Sequence, residues 1–468
     1  MEELNIYSGK LKYKDICFDF VYDKQELRLI PPADKRSEVR RWQLMELSGG
    51  ALLTMDSPYL EGSINETGQN IIFIMRQGAS IGNYNYVLFV KVVAVILFTT
   101  EKKMINRIDF TGPEINAIHS VGQAFSVIYD EEQSQKGIVS IQTTEYEKTI
   151  TDKSTFNVND KAVSVHFSIG RRVSIGIQDA PLKLTSIMIF EFESTDDYDF
   201  ILRLYRIAKL FVQYLCYRQN VVIDAVELSE LMDDENYNIC AKMQILDDYS
   251  QCEENTIKDG RYIRQCYIDG FEGKILSDIA SNTIYMRHLP ETYEASRHSD
   301  AANFVMITAA FEWEFRRIFP EGVKKKDAKL KAEAQASQVL QEIIDRSSGE
   351  LKSIYKYMQK SIGLSSLNNK ITFVGKKLIG IIDIFGKHLY HLNGEELDYY
   401  KMGERLSQQR NNFAHENLDK EFVGLALLDL VFLENILYAM QLKYYGLEDV
   451  KIKNGINELF DKNIMVKE

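Results

Sequence analysis

A chain of 468 residues, 45% hydrophobic and 26% charged, is too long for one ordinary core and too apolar for disorder, so two or three globular domains are expected. Its net charge of −12 argues against a protein that coats nucleic acid by bulk electrostatics. The acidity is uneven: residues 1–290 hold 31 Lys+Arg against 42 Asp+Glu, whereas residues 291–450 hold 21 against 23, which leaves room for a local basic groove in the second part.

From Lys10 to about Thr195 short apolar alternations are punctuated by Gly, Asn and Asp, and about ten or more strands at this spacing predict a sandwich or barrel-like β domain. In AVSVHFSIG, Val163, Val165, Phe167 and Ile169 fall on one face of a strand and Ser164, His166 and Ser168 on the other. The most apolar run, Tyr86 to Thr100, is interrupted by Lys91 and falls short of the roughly 20 residues of a membrane helix. It reads as a buried strand, and no membrane association is expected. Five cysteines (Cys17, Cys216, Cys240, Cys252, Cys266) lack metal-type spacing, and no secretory segment opens the chain, so a cytoplasmic location is expected.

The period changes at STDDYDFILRLYRIAKLFVQYLC. Ser194 is the expected cap, with Asp197 three residues on as in a capping box, and Ile201, Leu204, Ala208, Phe211 and Leu215 form the stripe of a helix near 196–218. NVVIDAVEL and NICAKMQIL read as further strands, so residues 1–290 form the β-rich region, as one domain or two. The polar segment from Pro290 to Asp300 is the expected boundary. Beyond it, helices are predicted over about 300–319, 326–360, 368–391, 395–414 and 420–445, with Asp419 and Gly446 bracketing the last. The fold class is therefore α+β multidomain: a β-rich N-terminal domain, then an all-α helical bundle over 291–468.

Within the fourth predicted helix, Tyr399, Met402, Leu406 and Phe413 share a core-facing side, yet Arg410, Asn411, Asn412 and His415 crowd its end. Imidazole titrates near neutrality and moves protons, guanidinium holds phosphate bidentately, and the asparagines supply neutral donors and acceptors. Arg410 and His415 are five residues apart, roughly 140° around an ideal helix, so either the helix ends between them or a second copy completes the site. Glu312 lies four residues before Arg316, next to Arg317, where an ordinary i,i+4 ion pair is one reading. The basic run beginning at Lys324, Lys325 and Lys326 is the best sequence candidate for contact with an RNA backbone. His388 and His391, with Asp383 nearby, lack the further ligands of a zinc site, so neither metal nor cofactor is expected.

Arg410-Asn411-Asn412-Phe413-Ala414-His415, late in a helical bundle, resembles the Arg-x(4–6)-His signature of HEPN ribonucleases, with the polar residue that the family favours directly after Arg. Glu312, Arg316 and Arg317 are similar to a Glu-x3-Lys/Arg-Arg pattern of an earlier helix in some members. The layout, a long β-rich region before such a bundle, resembles the ApeA group of anti-phage HEPN proteins. The resemblance implies a HEPN bundle that dimerises so that two motifs meet in one cleft. It also implies a metal-independent endoribonuclease, with His415 as general base or acid, Arg410 on the scissile phosphate, Asn411 orienting them and Glu312 contributing. The expected products carry a 2′,3′-cyclic phosphate and a 5′-hydroxyl. Where the family often has Gly after the His, this chain has Glu416, which either raises the imidazole pKa or faces solvent. The layout further suggests that the acidic N-terminal domain senses a phage-derived protein trigger. The alternative is a catalytically silent bundle for dimerisation or RNA binding, with the N-terminal domain as adaptor.

Overall fold

The computed structural model describes residues 6–24, 26–46, 55–81, 86–99, 101, 104–174, 176, 180–233, 236–323, 327–362, 366–414 and 421–466. The chain forms two compact units, Met1–Thr283 and Ile284–Glu468. The division falls a few residues before the boundary expected at 290. The segment after Thr283 is committed to the helical unit: Ile284 and Leu289 are buried, and the Tyr285 N–H donates to the buried Glu314 carboxylate at 2.8 Å.

The first unit is antiparallel throughout. Strands β1 (Tyr7–Tyr13), β2 (Ile16–Asp23), β3 (Glu26–Ile30), β4 (Tyr59–Ile64), β5 (Asn70–Ile81) and β6 (Leu88–Phe98) close on themselves in the order β1-β2-β3-β6-β5-β4. Closure removes the sheet edges and leaves an interior filled by Leu11, Phe18, Phe20, Tyr22, Phe73 and Val90. Strand β6 is buried on both faces over Val92–Ile96, a stretch that pairs with β5 on one edge and, from Ala94, with the later strand Tyr237–Ile245 on the other. That double burial is what the near-continuous apolar run encodes. Lys91, which interrupts it, is exposed and sits opposite Glu26.

Next come β7 (Ile105–Thr111), the separate hairpin of β8 (Phe125–Ile128) and β9 (Ser140–Thr143), then β10 (Ser154–Val158), β11 (Lys161–Val173), β12 (Leu182–Thr195), β13 (Ala225–Leu231) and β14 (Tyr237–Ile245). They extend the sheet in the order β10-β11-β12-β7-β13-β14, and β14 joins it to the barrel by pairing with β6. On β11 the face holding Val163, Val165, Phe167 and Ile169 is buried as the alternation predicts, but His166 and Ser168 on the opposite face are buried too. That face carries the bidentate Arg107–Asp109 pair, 2.6 and 2.9 Å, with the Arg107 guanidinium 4.7 Å above the Tyr237 ring. Burial pushes the His166 imidazole down to about 4, which keeps it neutral at physiological pH.

The helix Tyr198–Cys216 has all five predicted stripe residues buried. Its cap is Asp197 rather than Ser194, because Ser194 still belongs to β12 and it is the Asp197 carboxylate that accepts the Phe200 N–H at 3.1 Å.

In the second unit the helix Ala426–Tyr445 is buried around most of its circumference and serves as the hub for Ala301–Ile318, Ile379–Leu392, Tyr399–Ala414 and Asp449–Leu459. Gly446, with φ 101°, caps it in the left-handed region as expected, whereas Asp419 lies outside the described residues. Two predicted helices are each split: one into Asp327–Arg346 and Gly349–Ser361, the other into Leu367–Lys377 and Ile379–Leu392. The first pair packs against itself, and Ile344 is its one buried residue among those described. The protein is thus α+β and multidomain, a β-rich unit followed by a helical one.

Candidate active site

The helix Tyr399–Ala414 carries Arg410, and its course is set by close backbone approaches to Leu367–Lys377. A Cβ on Gly403 would lie 2.3 Å from the Asn368 Cα, and one on Gly375 would lie 2.5 Å from the Tyr399 ring. Only glycine allows this approach, which brings Lys370 of one helix and Arg410 of the other to the same carboxylate. Deeper in the unit, Arg405 makes a bidentate pair with the fully buried Asp429 of the hub helix, at 2.6 and 2.7 Å, and the Tyr390 hydroxyl donates to the same carboxylate.

Glu312, from Ala301–Ile318, is the junction. Its Oε2 accepts from Arg410 Nη1 at 2.8 Å and its Oε1 from Lys370 Nζ at 2.6 Å. The i,i+4 ion pair with Arg316 does not form. Arg316 Nε donates instead to the Glu312 backbone carbonyl at 3.3 Å, because cations from two other helices occupy the carboxylate. Arg317 turns the other way, to Glu314 at 2.6 Å.

Burial would raise the Glu312 pKa, but Lys370 and then Arg410 outweigh it and hold the carboxyl below its ordinary value of 4.5. A depressed carboxylate pKa contributes stability that is complete above the ordinary value and is lost as pH falls through the depressed one. The difference in Tm between the wild type and Glu312→Gln is therefore expected to be flat between about pH 6 and 8 and to shrink below about pH 4.5. Thermal melts across that range check it, and a gap that closes near neutrality contradicts the pairing.

The described helix runs unbroken through Asn411, exposed, and Asn412, half-buried, to Ala414. His415, Glu416, Lys324, Lys325 and Lys326 lie outside the described residues. Both flanks of the segment carrying His415 are fixed. Phe413 before it and Phe422 after it pack together with Phe304, at centroid distances of 5.4 to 5.9 Å. The buried Gln409 amide holds the returning chain, accepting from the Val423 N–H at 3.1 Å and donating to the Glu421 carbonyl at 3.4 Å.

Sequence reasoning did not single out Gln409 or Lys370. Nothing in the sequence marked either, since each acts on a partner that only the fold brings near. Asp383 is engaged by the Tyr399 hydroxyl at 2.6 Å and by Lys387 at 2.8 Å, while His388 and His391 are exposed. Among the described residues no three His, Cys, Asp or Glu side chains are grouped so as to hold a metal ion, and no helix is long and apolar enough to cross a membrane.

Taken together, the described residues offer an arginine held in one direction by a carboxylate, five residues before His415 in the sequence. A guanidinium held in this way can bind a phosphodiester. Compared with protein-family models, curated proteins and solved structures, the chain matches none.

Proposed function

We propose that this protein is a HEPN-type, metal-independent endoribonuclease of the anti-phage kind, in which the helical unit cuts RNA and the acidic β-rich unit senses or restrains. The single observation that carries the proposal is the Glu312 carboxylate, which ties Arg410 of the Arg-Asn-Asn-Phe-Ala-His motif to a residue of an earlier helix 98 positions away in sequence. An arginine fixed in this way is preorganised for an anion.

In the reaction, the ribose 2′-oxygen attacks the adjacent phosphorus and the P–O5′ bond breaks. One His415 takes the 2′-hydroxyl proton, and the His415 of a second copy gives a proton to the departing 5′-oxygen. Arg410 stabilises the charge gathering on the phosphoryl oxygens, and Asn411 orients the phosphate and imidazole. Asn412 and the Lys324, Lys325 and Lys326 run contact the RNA backbone. The working form is a cytoplasmic homodimer joined through the helical units, and its trigger is a phage-derived protein that engages the β-rich unit.

The test is growth and total-RNA integrity in cells that express the wild type or His415→Ala at equal level, with and without phage. RNA fragmentation and protection that depend on His415 are expected. Unchanged protection in the variant favours instead a silent bundle used for dimerisation or RNA binding, with the β-rich unit as adaptor.

A further inference from the structure

Glu312 poses an electrostatic problem for an anion-binding site. A carboxylate paired one-to-one with Arg410 neutralises the guanidinium and faces the incoming phosphate with a like charge. The structure holds the answer in Lys370, whose Nζ takes Oε1 at 2.6 Å while Arg410 takes Oε2 at 2.8 Å. Two cations share one anion, so the cluster keeps a net charge of about +1.

Exposure orders the three groups. The Lys370 side chain is 14% exposed, Glu312 25% and Arg410 35%, so Lys370 sits innermost and Arg410 outermost. Lys370 is therefore not the group that meets substrate.

Its position is also unfavourable by itself. It lies in the opening turns of the helix Leu367–Lys377, where the helix dipole disfavours a cation. Glu312 offsets that cost, and the aromatic ring of Phe315 lies 5.9 Å from the ammonium.

We infer that Lys370 is a positioning residue of the cleavage site, one that balances and orients Glu312 so that Arg410 keeps both its direction and its charge for the scissile phosphate. This rests on the ribonuclease assignment above. Lys370 acts through Glu312 on Arg410 and does not touch RNA.

The test is steady-state cleavage of a short fluorescent RNA by the full-length chain, with phage lysate supplied as the activating source; no His415-dependent cleavage by the wild type overturns the ribonuclease assignment and the inference with it. Lys370→Met and Lys370→Gln should each raise KM by about tenfold, with a smaller fall in kcat, because a neutralised Arg410 binds phosphate poorly. Lys370→Arg should retain near wild-type values. Adding Glu312→Gln to Lys370→Gln removes the uncompensated carboxylate, so KM should return to within about threefold of wild type while kcat stays low. A merely structural role for Lys370 predicts no such recovery. If the Met variant fails to fold, the Gln variant, which keeps a donor to Glu312, carries the same prediction.

An unchanged KM in Lys370→Gln, or a double variant no better than the single, overturns the inference. Arg410→Ala and His415→Ala run alongside: if both abolish cleavage while Lys370→Gln is normal, the inference alone fails. If both cleave like wild type, the ribonuclease assignment fails and takes the inference with it.

Discussion

Arg410→Ala is expected to slow RNA cleavage by about 100- to 1000-fold, the range seen when a preorganised donor to a developing oxyanion is removed. His415→Ala is expected to cost about 100- to 10,000-fold, as for the loss of a general acid or base. Both follow from the site's division of labour. In the proposed reaction Arg410 holds charge at the phosphate, and its direction is set by Glu312 at 2.8 Å. Arg410→Lys should remain severely impaired, because an ammonium cannot reproduce a planar fork that grips a carboxylate and a phosphate together. Turnover of a labelled RNA by purified full-length protein, with phage lysate as the activating source, is the measurement, with melting curves to verify folding. Arg410→Ala within about twofold of wild type would remove this residue from the site.

The largest effect on stability is expected at Asp429. Its carboxylate is fully buried and receives both Nε and Nη2 of Arg405, as well as the Tyr390 hydroxyl. Asp429→Ala leaves a guanidinium and a phenol without their acceptor. Breaking a buried pair costs about 3–5 kcal/mol, and the partial exposure of Arg405 reduces this to about 2–4 kcal/mol. Because Arg405 lies on the Arg410 helix, the loss should also loosen the site. Denaturant or thermal unfolding followed by a probe in the helical unit measures it. A transition unchanged within about 0.5 kcal/mol would mean that the network contributes nothing net to the fold.

The sequence carried the local part of this structure. The two-residue period of β11 and the stripe of Tyr198–Cys216 were legible because each is a pattern of burial along one element. Barrel closure was not, since it depends on β6 pairing with strands on both edges, a non-local choice that the apolar run permits but does not specify. The break at Leu378 and the final helix Asp449–Leu459 escaped notice for a related reason: neither is marked by proline or by a strong cap.

The site shows the same divide. Arg410, the asparagines and His415 were visible as a contiguous motif. Glu312 was visible as a spacing with two readings, an i,i+4 pair with Arg316 and a contribution to the site, but the spacing could not name Arg410 and Lys370 as its partners. Lys370 is 58 residues from Glu312 and sits in an ordinary-looking SLNNKITF, so only packing at Gly403 and Gly375 reveals it. Gln409 likewise gains meaning from the chain it clamps 14 residues later.

If, as proposed, this chain cuts RNA by 2′-hydroxyl attack at the Arg410/His415 site, the ends of its products carry the signature of that attack. The most direct measurement is the chemistry of the ends left on a defined RNA by purified full-length protein, with phage lysate supplied as the activating source and His415→Ala as control. Expected are 2′,3′-cyclic phosphate and 5′-hydroxyl ends that are absent with His415→Ala. Fragments bearing 5′-phosphate ends, or cyclic ends that persist in the variant, would contradict it.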